Sequence, residues 1–155
     1  MNMKSFSKKL EGWDQKIIHH TRSWAVPFSR FAIFVVYFWF GALKVFSESP
    51  ANPMVAALLA KTLPGVLFDS FIIAFGIFEM LIGLVFIIPH LQRLGIFILG
   101  IHLIMTILPL FILPQMTWQS FLTPTLEGQY IIKNILIVAL AIGILAHMRI
   151  HKDTR

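Results

Sequence analysis

Three charged residues fall within apolar segments, Glu79 deep inside one and Lys44 and Lys133 a few residues inside the ends of two others. Glu79 is ten residues past Asp69, or about 15 Å along a helix rising ~1.5 Å per residue, near the middle of a hydrocarbon core roughly 30 Å thick. A charged side chain at the centre of a membrane helix costs about 2.5–3.5 kcal/mol on insertion scales, so each such residue is a candidate for function. Gly76 and Gly83 lie three before and four after Glu79, which puts Gly-Glu-Gly on one helix face. Small residues there let a neighbouring backbone approach, so Glu79 is expected to point into a bundle. Lys44 and Lys133 lie a few residues inside the ends of their segments, where snorkelling toward water is the ordinary alternative. Ser47 and Glu48 follow Lys44, while Glu127, Gly128, Gln129 and Tyr130 precede Lys133 and Asn134 follows it. An unpaired carboxylate at depth would protonate, so Glu79 is expected to couple to Lys44, Lys133 or both in one polar cavity. Two lysines against one glutamate leave a net positive site, suited to an anion or to the carbonyls of a polar head group. The structural alternative is an ion cluster that fixes helix order rather than adding stability.

The remaining polar groups support that site. His102 is central in its apolar segment, with Thr106 one turn later on the same face, and Tyr37 belongs to an aromatic-rich segment. Tyr37, His102, Thr106, Glu127, Tyr130 and Asn134 are the supporting candidates. A lone interior histidine is more often hydrogen-bonded to a neighbouring helix than bound to metal, and no metal site is expected. His147 and His151 have a metal-compatible i, i+4 spacing, but they sit on a basic tail. The chain contains no Cys, which removes disulfides, thiol relays, iron–sulfur clusters and thiolate metal sites. No phosphate loop, Ser–His–Asp order, HExxH or paired-carboxylate motif occurs.

The elements that must position these residues are membrane spans. Of 155 residues 57% are hydrophobic and 13% charged, against about 45–50% and 25% for an average soluble domain, and mean hydropathy is +0.80. A soluble fold of this size leaves roughly a third of its surface in water, so the solvent must be lipid. The pI near 10 does not indicate nucleic acid, because the basic residues lie in tails and form no basic face. Four stretches are long enough to cross a bilayer: about 27–46, 67–88, 94–113 and 130–148. Pro89 ends the second, and residues 89–93 form a tight antiparallel hairpin. Pro109 should kink the third near its end. The fold class is an all-α membrane protein, an antiparallel four-helix bundle.

Charge sets the orientation. Lys4, Lys8, Lys9, Lys16, Arg22, Arg30, Arg93, Arg149, Lys152 and Arg155 are ten of the thirteen basic residues, and all fall on one side of such a bundle. Both termini are therefore expected in the cytoplasm, with no signal cleavage. Residues 1–24 read as a basic amphipathic helix on the membrane surface, its apolar face being Phe6, Leu10, Trp13 and Ile17. Residues 25–148 form the spanning domain and 149–155 a cytoplasmic tail. Asn52–Thr62, with Pro53 in its first turn, reads as a short outer-loop helix.

Gly41-Ala42-Leu43-Lys44-Val45-Phe46 and Gly76-Ile77-Phe78-Glu79-Met80-Leu81-Ile82-Gly83-Leu84 resemble the G-x-x-K and G-x-x-E-x-x-x-G-L motifs of the DoxX-like family of small bacterial membrane proteins. The stretch Leu126–Asn134 is similar to the branch that includes the YkgB/RclC proteins of reactive-chlorine defence, although the long extracytoplasmic insertion of that branch is missing. The resemblance covers about Phe31–Met148. It implies a four-helix bundle in the bacterial inner membrane, connected with redox or oxidant-stress physiology, and carries Lys44, Glu79 and Lys133 onto recurrent family positions. The chain has no redox centre of its own, so an enzymatic role is that of a quinone-linked oxidoreductase subunit: a quinone would occupy an outward-opening pocket and a membrane or soluble redox partner would supply electrons. The alternative is a non-catalytic module that binds a lipid or small molecule or scaffolds a partner enzyme. A transporter is disfavoured, because the spans lack the paired helix breaks that build such sites.

Overall fold

The computed structural model describes residues 3–148, with side chains from residue 11 onward. The first helix, α1 (Met3–Val45), is 43 residues long, or about 65 Å at ~1.5 Å per residue. The boundary expected near residue 24 is absent. Pro27 lies inside the helix, yet no Gly or turn sequence accompanies it. The hydroxyls of Ser23 and Ser29 on either side donate to His20 O and Ala25 O, each at 2.7 Å, and the helix runs through. Trp13 and Ile17 are exposed. Phe6 and Leu10, like the tail 149–155 with His151, lie outside the residues whose side chains are described.

A turn leads from α1 to α2 (Asn52–Thr62), whose first turn holds the expected proline. Next comes α3 (Phe68–Ile87), ended by Pro89 because proline cannot continue a helix. Its last carbonyls find an unusual partner. Arg30 of α1 donates from Nε to Phe86 O at 2.7 Å and from Nη2 to Ile87 O at 2.6 Å, satisfying acceptors that a helix end leaves open. A short turn containing His90 in the left-handed region (φ 72°) reverses the chain into α4 (Gln92–Ile107). The helix breaks at Leu108 and resumes as α5 (Pro109–Ile112), as the proline requires.

A single turn, α6 (Pro114–Thr117), precedes a small ribbon of β1 (Trp118–Ser120) and β2 (Thr123–Pro124), paired antiparallel. Then α7 (Leu126–Lys133) and α8 (Ile135–Ala146) meet at Asn134. The fourth span thus begins at Leu126 rather than Tyr130. Thr125 caps it by accepting from Gly128 N at 3.1 Å, a start signal that outranks the first aromatic residue.

Among the described residues four helical stretches are long and apolar enough to cross a membrane: Glu11–Val45, Phe68–Ile87, Gln92–Ile112 and Leu126–Ala146. The chain is an all-α, multi-pass membrane protein. Its core draws on all four: Ile33 and Tyr37, Ile82 and Phe86, Leu99, and Ala141 with Ile144. The tightest seam joins α1 to α3. A Cβ placed on Gly41 would come within 2.6 Å of Gly76 O, and one on Gly76 equally near Gly41 O, while one on Gly83 would lie 3.1 Å from Phe34 O. Only residues without a side chain allow that approach.

Candidate functional site

The α1–α3 seam positions the site. Lys44 lies three residues after Gly41, and Glu79 three after Gly76. The helices are antiparallel, so Lys44 and Glu79 lie on opposite sides of the glycine contact; the close backbone approach lets their side chains reach each other across it. Lys44 Nζ donates to Glu79 Oε2 at 2.6 Å. His102 of α4 reaches the other oxygen, Nε2 to Oε1 at 3.0 Å. Its remaining nitrogen, Nδ1, is 3.1 Å from the hydroxyl of Tyr37, which stands two turns before Lys44 on the same face of α1. Lys44, Glu79, His102 and Tyr37 are all buried, at 4–6% exposure.

Donor and acceptor chemistry fixes the direction of this chain. An ionised carboxylate only accepts, so Nε2 of His102 carries a hydrogen. In the neutral imidazole Nδ1 is then an acceptor, and the Tyr37 hydroxyl donates to it. Both carboxylate oxygens are engaged, and the network is neutral when Lys44 and Glu79 are charged and His102 is not. A buried ion pair is sustained only when its remaining lone pairs and protons find partners, which His102 and Tyr37 supply. Aromatic rings enclose the imidazole. Phe75 stacks on it at 5.3 Å, Tyr37 meets it edge-on at 5.1 Å, and Phe78 is 6.1 Å away. Lys44 Nζ also lies 5.7 Å over the Phe75 ring. Such an arrangement holds protons on several groups in series, away from water.

Lys133 is the correction. It is exposed at the end of α7, with its ammonium 5.4 Å over the Tyr130 ring. Gly128 explains the placement: a Cβ there would collide with Thr117 O, so the first turn of α7 is drawn against α6 rather than against the α1–α3 seam. The site therefore holds one lysine and is not net positive. Glu127 and Tyr130 are exposed. Thr106 is half-buried and its hydroxyl donates to Leu103 O at 3.0 Å within its own helix. Asn134 is half-buried at the α7–α8 junction, so neither joins the network. What sequence reasoning under-weighted was His102 as the second partner of Glu79. The available signal was its position at the centre of an apolar span, far from either end.

Among the described residues no group of three His, Cys, Asp or Glu side chains is arranged to hold a metal. His147, whose spacing to His151 is metal-compatible, donates from Nδ1 to Gly143 O at 2.7 Å. A cleft of about 480 Å³ opens beside His90 and His147, and a shallower one of about 310 Å³ lies along α1 near Trp24. Neither is lined by a member of the network.

Fold and site together define a multi-pass all-α membrane protein with a buried, hydrogen-bonded ionic network. Comparison with known protein families, with curated proteins and with solved structures finds no match for this chain.

Proposed function

We propose that this chain is a DoxX-like protein of the bacterial inner membrane, with both termini cytoplasmic, whose Tyr37–His102–Glu79–Lys44 network stores protons for a redox or oxidant-stress function. The observation that carries the reading is the linkage of the two motifs. Gly41 with Lys44 and Gly76 with Glu79 each place a glycine one turn before a charge, the glycines touch, and the charges pair. A Lys–Glu pair alone would suffice as a clamp. Adding His102 and Tyr37 in series makes a line of groups along which a proton can shift: the phenol gives its hydrogen to Nδ1 as Nε2 passes its own to the carboxylate. A quinone head group whose carbonyl accepts from Lys44 on the outer side is the ligand such a site suits. Electrons would come from the quinone or from a partner, since this chain holds no cysteine.

One observation favours the second reading, a non-catalytic module: Glu79 has both oxygens engaged, and neither cleft reaches the network. Thermal unfolding of the purified protein with a water-soluble quinone separates the two. A rise in midpoint for wild type, lost in folded Tyr37→Phe and His102→Gln variants, is expected. No rise in the wild type would sink the quinone reading and leave the module. The orientation is checked separately by labelling in intact cells, where an impermeant thiol reagent should reach Ser120→Cys and miss Thr154→Cys.

A further inference from the structure

At the opposite end of the spans from Lys44, α3 has just ended, α4 is beginning, and α8 runs out at Ala146. Val26, His90, Gln92, Arg93, His147 and Met148 line the cleft of about 480 Å³ there. Its walls come from α1, from the α3–α4 turn with the first turn of α4, and from the end of α8. Among the described residues every ionisable group lining it is of the basic type, and no carboxylate is among them. Val26 and Met148 supply apolar wall. The level matters as much as the charge, because these residues lie where three helices leave their apolar stretches, the depth of lipid head groups.

We propose that this cleft binds the phosphate group of an anionic phospholipid, with Arg93 as its main contact and the acyl chains lying along the apolar wall. A guanidinium presents a planar fork of donors that matches phosphate oxygens. Arg93 also interacts within the chain, and its five donors leave it able to serve a second partner. His147 donates Nδ1–H to Gly143 O, so Nε2 is the nitrogen left for a ligand. It donates only from the imidazolium form, which an anion favours. His90 takes a left-handed backbone (φ 72°) that glycine adopts at no steric cost, so the turn brings an imidazole to the cleft against backbone preference. Basic pockets between membrane helices recognise phospholipid head groups by this chemistry. The site is independent of the Lys44–Glu79 network, and the proposal stands on either orientation of the chain.

Native mass spectrometry of the full chain, released from detergent with phosphatidylglycerol, phosphatidylcholine or inorganic phosphate, tests it. One phosphatidylglycerol should remain bound under conditions that strip phosphatidylcholine. Arg93→Gln should weaken that binding about fivefold, the share of one arginine near a lipid surface, while Lys16→Gln, outside the cleft lining, leaves it unchanged. Circular dichroism checks that each variant folds, and His147→Gln serves as the second variant should Arg93→Gln fail. Equal retention of the two lipids, or unchanged phosphatidylglycerol binding in the folded variants, would overturn the proposal. Displacement by inorganic phosphate at concentrations similar to the lipid would keep the phosphate site and assign it to a soluble phosphate.

Discussion

The seam between α1 and α3 and the face of α8 are both built of apolar helix with glycine, yet they behave as opposites. In the seam, Gly41 and Gly76 are pressed together so closely that neither could carry a methyl group, whereas Gly143 in α8 and Gly100 in α4 have nothing within 4 Å of where one would go. The polar residues follow the same division. Lys44 and Glu79 lie one turn past touching glycines and are buried together. Lys133 lies past Gly128, which is pressed against Thr117, and it stays in the open. Depth along a span is therefore a poor guide to whether a charge is used. What decides is which segment the nearby glycine is pressed against: for Lys44 it is the helix that carries Glu79, for Lys133 the α6 turn, which has no charged residue.

The largest effect should come from breaking the buried pair. Glu79→Gln leaves an ammonium without its carboxylate and should cost about 3–5 kcal/mol, while Glu79→Gln with Lys44→Met should cost less than the sum of the single changes. Chemical or thermal unfolding in detergent reads both, and additivity would show the two residues uncoupled. A smaller contrast comes from adding one methyl to each region. Gly41→Ala should destabilise by about 1–3 kcal/mol, since backbone must move. Gly143→Ala should be neutral or stabilising by up to about 1 kcal/mol, because alanine is the better helix former. Equal effects would erase the distinction drawn between seam and face. Smallest are the single polar truncations outside the ion pair. Tyr37→Phe should cost about 1 kcal/mol by removing the donor to His102. Lys133→Met should stay within about 0.5 kcal/mol, as an exposed substitution does, and a larger loss in the same unfolding assay would return Lys133 to the network.

Much of this was legible from residue type and spacing. Apolar stretches, prolines and glycines mark the spans, the break before Pro109 and the Asn52–Thr62 helix, because each follows from a local rule of backbone chemistry. The inward turn of Glu79 follows from Gly76 and Gly83. Other features depend on long-range packing that no local pattern encodes. Lys133 carries polar neighbours on both sides, but its helix is anchored by Gly128 to a connecting segment whose position is set elsewhere. The ribbon at 118–124 depends on pairing of Trp118 with Pro124, and Pro124 reads as a loop residue. The continuity of α1 through Pro27 went unread because a proline after a polar stretch looks like a boundary.

That continuity has a mechanical consequence. Two of the four network residues, Tyr37 and Lys44, hang from α1, while their partners Glu79 and His102 hang from α3 and α4. A rod of about 65 Å is about twice the thickness of a ~30 Å hydrocarbon layer, so an upright α1 would be a lever with one arm beyond that layer. A displacement of that arm would have to pass the Arg30 contacts with Phe86 O and Ile87 O before it reached the phenol and the ammonium. A Gly-Gly hinge in place of Ala25-Val26 would uncouple the arm from the load.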